Sequence, residues 1–193
     1  MPFSQLGLHP DLVRGVKAMG FTDPTPIQAQ TIPLGLEGGD LLGCAQTGSG
    51  KTASFALPVM HRLLNNPKPG LRALVLVPTR ELAAQVETTF RDCGRFTDLK
   101  VAMIIGGVGF HGQNQAMAGG AQILVATPGR LLDHLERGTF KLNQIEQLVL
   151  DEADRMLDMG FLPDIRAILG RVPKERQTMM FSATLVPEVE RIA

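Results

Sequence analysis

Short apolar runs recur along the chain at 41–45, 73–77, 101–105, 123–126, 148–150 and 179–181, most of them closed by polar or glycine-rich residues. Runs that stay apolar, without alternating, are the mark of strands covered on both faces. Between them, 80–96 and 129–136 place apolar residues three and four apart, which predicts amphipathic helices. Strand and helix in alternation predict an α/β fold, a parallel sheet covered by helices on both faces.

The first 39 residues depart from that rhythm. They hold a helix-like stretch at 11–19, a turn at Asp23-Pro24-Thr25-Pro26 and a second helix candidate at 27–36. The expected organisation is a segment, 1–39, attached as an appendage to a core domain, 40–193. Two prolines and a glycine make 65–70 a loop, and no repeat or low-complexity tract is present.

Composition narrows the class. With 193 residues, 44% hydrophobic and 20% charged, the chain reads as one globular domain, which excludes disorder and collagen-like repeats. Cys44 and Cys93 make no disulfide framework, and His9, His61, His111 and His134 lack metal-ligand spacing. No basic leader precedes an apolar stretch, and no apolar run approaches the roughly 18 residues of a membrane span, so the expected setting is a reducing cytoplasm. Cys44 reads as a small buried hydrophobe, and Met156, Met159, Met179 and Met180 as core filling. Ser49, Ser54 and Ser182 have no nucleophile-elbow setting, which disfavours hydrolysis by a catalytic triad.

Zero net charge argues against a nucleic-acid partner. The total hides a segregation: Glu146, Asp151, Glu152, Asp154, Asp158 and Asp164 against Arg155 give −5 in one stretch and leave +5 elsewhere. Such a stretch is either a solvated helical face or a source of carboxylates for a metal.

Chemistry concentrates where the apolar runs end. Five of the six are followed at once by polar clusters, and the run at 101–105 ends in Gly106-Gly107, which permits close backbone approach. Ligands of open α/β sheets bind at the carboxyl ends of the strands, so these clusters should share one edge. The strongest is Ala45-Gln46-Thr47-Gly48-Ser49-Gly50-Lys51-Thr52. Its glycines let successive N–H groups point at phosphate oxygens, Lys51 pairs with the outer phosphates, and Thr52 ligates Mg²⁺. The strict pattern has glycine where Ala45 stands; the strand-loop-helix context restores the match. Downstream, Leu148-Val149-Leu150-Asp151-Glu152 delivers Asp151 to hold Mg²⁺ and Glu152 to orient or deprotonate water, although acids at a helix start also simply complement its dipole. Together the two clusters specify a Mg-nucleoside-triphosphate site. Pro78-Thr79-Arg80 and Thr127-Pro128-Gly129-Arg130 each set a threonine at an N-cap and an arginine in the first turn, either a phosphate receptor or an ordinary helix start.

In order, Gly20-Phe21-Thr22-Asp23-Pro24-Thr25-Pro26-Ile27-Gln28, Ala45 to Thr52, Pro78-Thr79-Arg80-Glu81-Leu82, Gly106-Gly107, Thr127-Pro128-Gly129-Arg130, Asp151-Glu152-Ala153-Asp154 and Ser182-Ala183-Thr184 resemble the DEAD-box RNA helicases over nearly the whole chain. The resemblance is to their N-terminal RecA-like domain, in a form similar to the bacterial RhlE type. It implies ATP and Mg²⁺ as cofactors, single-stranded RNA as partner, and Lys51, Asp151 and Glu152 as catalytic. It further implies that Gln28 reads the adenine edge while Phe21 packs on the ring, Phe3 matching the family's isolated upstream aromatic; simple packing is the alternative for both phenylalanines. Pro78, Thr79, Arg80, Gly106, Gly107, Thr127, Pro128, Gly129 and Arg130 then contact the RNA backbone without reading sequence. Ser182 and Thr184 couple to Asp154, the alternative being a hydroxyl-capped strand end.

Those helicases carry a second RecA-like domain, for which this chain has no further set of clusters. The expectation is therefore a chain that binds adenine nucleotides, hydrolyses ATP slowly and unwinds nothing by itself. Rival readings are another P-loop NTPase, such as a translocase or nucleotide kinase, and a non-catalytic RNA-binding module.

Overall fold

The computed structural model describes residues 1–193. Six strands, β1 (Leu41–Cys44), β2 (Ala73–Leu76), β3 (Val101–Ile104), β4 (Ile123–Ala126), β5 (Gln147–Leu150) and β6 (Gln177–Ser182), form one all-parallel sheet in the order β1-β6-β5-β2-β4-β3. After a 3-10 turn at Phe3–Gln5 come α1 (Pro10–Ala18) and α2 (Pro26–Glu37). The strands then alternate with α3 (Lys51–Asn65), α4 (Arg80–Cys93), α5 (Phe110–Ala118), α6 (Pro128–Glu136), α7 (Ala153–Asp158), α8 (Leu162–Leu169) and α9 (Pro187–Ile192). The predicted α/β architecture is the one observed, with every strand start and end within two residues of its apolar run.

Strand geometry sends successive side chains to opposite faces. Ala73 and Val75 of β2 therefore join a core under α1 to α4, with Phe55, Phe90 and Phe181, while Leu74 and Leu76 join a second core under α6 to α9, with Leu131, Met156 and Ile165. The first 39 residues prove to be more than an appendage: Phe3, Leu6, Leu8, Leu12, Val16 and Ile32 are buried in the first core. Phe3 is thus a packing residue, 3% exposed. Gln177 secures this segment from below, its Nε2 donating to the Gly35 and Gly39 carbonyls, each at 2.9 Å.

Two burial expectations fail. Cys44 is exposed, because β1 pairs only with β6 and forms a sheet edge where Leu42 is exposed too. Met159 is also exposed, since it is the C-cap of the six-residue α7 and lies beyond the turn that faces the core, whereas Met156, Met179 and Met180 are buried as expected. Helices α5, α7, α8 and α9 were not anticipated from the sequence. No helix is long and apolar enough to cross a membrane.

The N-terminal segment is also pinned to α3 by an imidazole. His61 Nδ1 accepts from the His9 N–H at 3.0 Å, which requires an unprotonated Nδ1. Burial and His9 push the His61 pKa below its ordinary 6.5, and burial with Arg130 does the same for His134. Both groups bind protons more readily unfolded, so their contribution is complete above pH 6.5 and drains away below it. Urea midpoints should fall from pH 7.5 to pH 5.5, and the decline should be shallower in His61→Gln; an equal decline would sever stability from this imidazole.

Candidate functional site

A parallel sheet places all its carboxyl ends on one edge, and the strand order sorts the clusters along it. The loops after β1, β6 and β5 are neighbours, as are those after β2, β4 and β3. One half of the edge holds the glycine-rich loop and the acids. The other holds the two clusters read as phosphate receptors and the Gly106-Gly107 pair.

The glycine-rich loop turns on Gly48 and Gly50, both in the left-handed region, at φ 80° and 86°. At Gly50 this conformation and a close approach coincide: a Cβ there would lie 2.6 Å from Gln28 Nε2 and 2.9 Å from Thr25 Oγ1. The underlying contact is a hydrogen bond from Gln28 Nε2 to the Gly50 carbonyl at 3.0 Å. Gln28 reaches it because it belongs to a capping box, accepting from the Thr25 N–H at 2.9 Å while the Thr25 hydroxyl accepts from the Gln28 N–H. Ser49 braces the loop internally through the Gln46 carbonyl at 2.7 Å. By contrast, α3 has Gly50 at its N-cap and no side-chain cap. Its first N–H groups and dipole are left for an anion.

Lys51 and Asp151 meet beneath that helix start. Their Nζ to Oδ1 distance is 3.1 Å, with Glu152 Oε1 at 3.6 Å from the same ammonium. Asp151 is fully buried and its Oδ2 has no partner. Burial pushes its carboxyl above the ordinary range, against the pull of Lys51. Glu152 has the one positive φ outside glycine, 53°. A left-handed residue with a Cβ costs about 1–2 kcal/mol, and such strain collects at functional sites. An orphaned buried carboxylate oxygen is a fit donor for a hard divalent cation. No group of three His, Cys, Asp or Glu side chains gathers there, so these side chains would supply only part of a cation's shell.

Phe21, Gln28, Thr47, Gly48, Gly50, Lys51, Thr52 and Glu152 line one cleft of about 510 Å³. Phe21, 49% exposed, is available to a ligand in a way Phe3 is not. The same cleft is lined by Met19, Thr25, Leu82, Gln85 and Thr89, to none of which the sequence reading gave a role of its own. Two signals were there: Thr25 begins a Thr-x-x-Gln capping box, and residues 82, 85 and 89 share one helix face.

Asp154 sits between this half of the edge and β6. Its Oδ2 accepts from the Thr184 hydroxyl at 2.9 Å and the Thr184 N–H at 3.1 Å, and its own N–H donates to Ser182 Oγ at 3.2 Å. Burial opposes its ionised form, but these bonds prevail and hold the carboxyl below its ordinary range.

On the other half, Thr79 caps α4 by accepting from the Leu82 N–H at 3.2 Å. Thr127 occupies the N-cap of α6 but its hydroxyl makes no capping bond, which corrects the expectation that both threonines cap alike. Pro78, Thr127 and Pro128 are buried, whereas Gly129 and Arg80 are exposed. The Arg80 guanidinium lies over Gly107, whose φ is +79°, so the cluster after β2 touches the one after β3. Arg130, from the cluster after β4, donates to the Val108 carbonyl at 2.6 Å.

Comparison with known proteins agrees with this layout. The family model described as DEAD/DEAH box helicase matches residues 25–192. The ATP-dependent RNA helicase DeaD of Buchnera aphidicola (Acyrthosiphon pisum) is 51% identical over 99% of this chain and 32% of its own length. The DEAD-box ATP-dependent RNA helicase CshA of Bacillus subtilis is 48% identical over 99% of this chain and 38% of its own. The solved structure of a DEAD box protein from the hyperthermophile Methanococcus jannaschii superposes with a TM-score of 0.94 at 42% identity, over 100% of this chain and 53% of that one. The chain thus spans about a third of the length of these curated relatives. With its motifs gathered on one sheet edge and the family model covering all but its first 24 and last residues, the chain belongs to the DEAD/DEAH box helicase family.

Proposed function

We propose that this chain is the nucleotide-binding, N-terminal RecA-like part of an ATP-dependent RNA helicase. In the full-length protein it works with a second RecA-like domain to bind RNA and open short duplexes. The observation that carries the reading is Lys51, held between Asp151 and Glu152 beneath an uncapped helix start. The segment 1–39 contributes the adenine reader, and 40–193 the phosphate site and half of the RNA groove.

Each residue's part follows from its placement. Phe21 offers a ring face to the base, and Gln28, already gripping Gly50 through one amide hydrogen, retains a second hydrogen and a lone pair for its edge. Lys51 leaves its acids for the outer phosphates, while the amides of 47–51 receive phosphate oxygens. Asp151 and Thr52 hold Mg²⁺, which when bound neutralises phosphate charge. Glu152 orients the attacking water, and Asp154 links that acid pair to Ser182 and Thr184. Relatives named as RNA helicases support RNA as the ligand of Pro78 to Arg80, Gly106, Gly107 and Thr127 to Gly129. Two free cysteines suit the reducing cytoplasm we assign.

A fluorescent ADP displaced by ATP or GTP tests the assignment. ATP should compete about tenfold better than GTP, the value of a well-placed hydrogen bond or two, and Gln28→Ala should bring the two within about threefold. Equal competition on the wild type removes the adenine reader; no displacement by either removes the nucleotide site.

A further inference from the structure

Arg130 was assigned to nucleic acid, yet its guanidinium is engaged inside the protein. Nη2 donates to the Val108 carbonyl at 2.6 Å, Nε donates to Gln113 Oε1 at 3.2 Å, Nη1 lies 3.5 Å from Asp133 Oδ2, and the group sits 3.5 Å from the Phe110 ring centroid. A planar fork that bonds in several directions while stacking on a ring is what arginine offers and lysine does not.

The engagement continues inward. Gln113, 2% exposed, donates from Nε2 to the Ile105 carbonyl at 2.7 Å. Its Oε1 therefore accepts twice, from Arg130 and from His134 Nε2 at 2.7 Å, which places the imidazole proton on Nε2. The His134 ring packs against Phe110 at 4.5 Å, and Arg137 approaches the same phenylalanine at 4.1 Å.

Two carbonyls are gripped by this network, those of Ile105 and Val108, near the two ends of the loop between β3 and α5. In a trans peptide the N–H points opposite to the carbonyl before it. Turning these oxygens inward directs the N–H groups of Gly106 and Gly109 outward. No N–H from Gly106 to Gly109 has an intramolecular acceptor, and Gly107 to Gly109 are exposed. Such a run of free amides suits a backbone phosphate.

Resting on the RNA reading above, we propose that Arg130, Gln113 and His134 are positioning residues: they act on RNA by holding the 105–109 loop with its amides outward, and Arg130 is not itself a phosphate ligand. Arg80, which has no bond or ion pair of its own, is the direct cationic contact on this half of the edge.

The test is anisotropy of a fluorescein-labelled oligouridylate with this 193-residue protein over a KCl series. Each phosphate contact adds about 0.7 to the slope of log affinity against log salt for single strands. Arg80→Gln should flatten the slope by roughly that amount. Arg130→Lys and Gln113→Leu should each weaken binding about three- to tenfold, the worth of a hydrogen bond or two, with the wild-type slope kept. Both should also speed deuterium exchange at 106–109. Wild-type affinity in Arg130→Lys, or a slope flattened by about 0.7 in Arg130→Gln, overturns the proposal and leaves the RNA reading standing. A wild type with no salt-dependent affinity overturns the RNA reading and the proposal with it.

Discussion

Replacing Lys51 with alanine is expected to weaken the fold as well as the site. The substitution leaves the Asp151 carboxyl fully buried beside Glu152 without its cationic partner, and removing one partner of a buried pair costs about 3–5 kcal/mol. Burial already raises the Asp151 pKa, and without the ammonium the main opposition to it is gone. A group whose pKa is raised on folding penalises the fold where it is ionised, and the penalty shrinks as pH falls. Urea unfolding should therefore show a gap between wild type and Lys51→Ala at pH 7 that narrows at pH 5. Asp151→Asn in the Lys51→Ala background should recover most of the stability. Affinity for a fluorescent ADP should fall about 10- to 100-fold in Lys51→Ala and stay low in the double variant, since a charged hydrogen bond to phosphate is lost in both. Wild-type stability for Lys51→Ala at pH 7 would mean that the two side chains do not share their charge in solution.

The second large effect lies at the opposite edge of the sheet and should spare nucleotide binding. Arg72, 2% exposed, enters β2 and forks onto Glu146 at the start of β5, with Nε to Oε1 at 3.3 Å and Nη2 to Oε2 at 2.9 Å. The Glu146 N–H also donates to the Arg72 carbonyl at 2.8 Å, so the pair secures the central strands at their amino ends. Glu146→Ala strands a buried guanidinium, at a cost of about 3 kcal/mol. For a domain of this size that lowers Tm by roughly 6–12 °C. The Arg72 hydrogen bonds hold the Glu146 carboxyl below its ordinary 4.5, so its stabilisation is present above that pH and lost as pH falls further. Calorimetry at pH 7 and pH 3.5 should show a difference that is large at pH 7 and narrower at pH 3.5. Arg72→Met combined with Glu146→Leu should come back near wild type, because an apolar pair needs no compensation. A shift below about 1 °C for Glu146→Ala would contradict this account.

Much of the site was readable because its parts are local. A capping box, a glycine-rich turn and an acid at the end of an apolar run are each set within about eight residues, where spacing and backbone sterics decide the outcome. That is why Gly50, Lys51 and Asp151 were identified before their contacts were visible, whereas Gln28 was marked by the family resemblance and not by its capping box. Arg130 shows the limit. An arginine in the first turn of a helix reads as a free cation, and only the approach of Val108, Phe110 and Gln113 from a different element reveals it as engaged. Cys44 fails for the same kind of reason: an apolar run reports hydrophobicity, not whether its strand lies in the middle or at an edge.

By itself, the sequence determined the α/β class, the position of each strand and which polar or glycine-rich residues stand at each strand end. Those properties depend on residues close together in the chain. Tertiary structure alone decided the order β1-β6-β5-β2-β4-β3, which gathers the glycine-rich, hydroxyl and acidic clusters after β1, β6 and β5 and sets the others beside them after β2, β4 and β3. It also decided that Lys51 meets Asp151 across 100 residues of chain. Strand pairing and buried ion pairs are non-local; the period of two specifies which faces are buried but not which strand lies alongside.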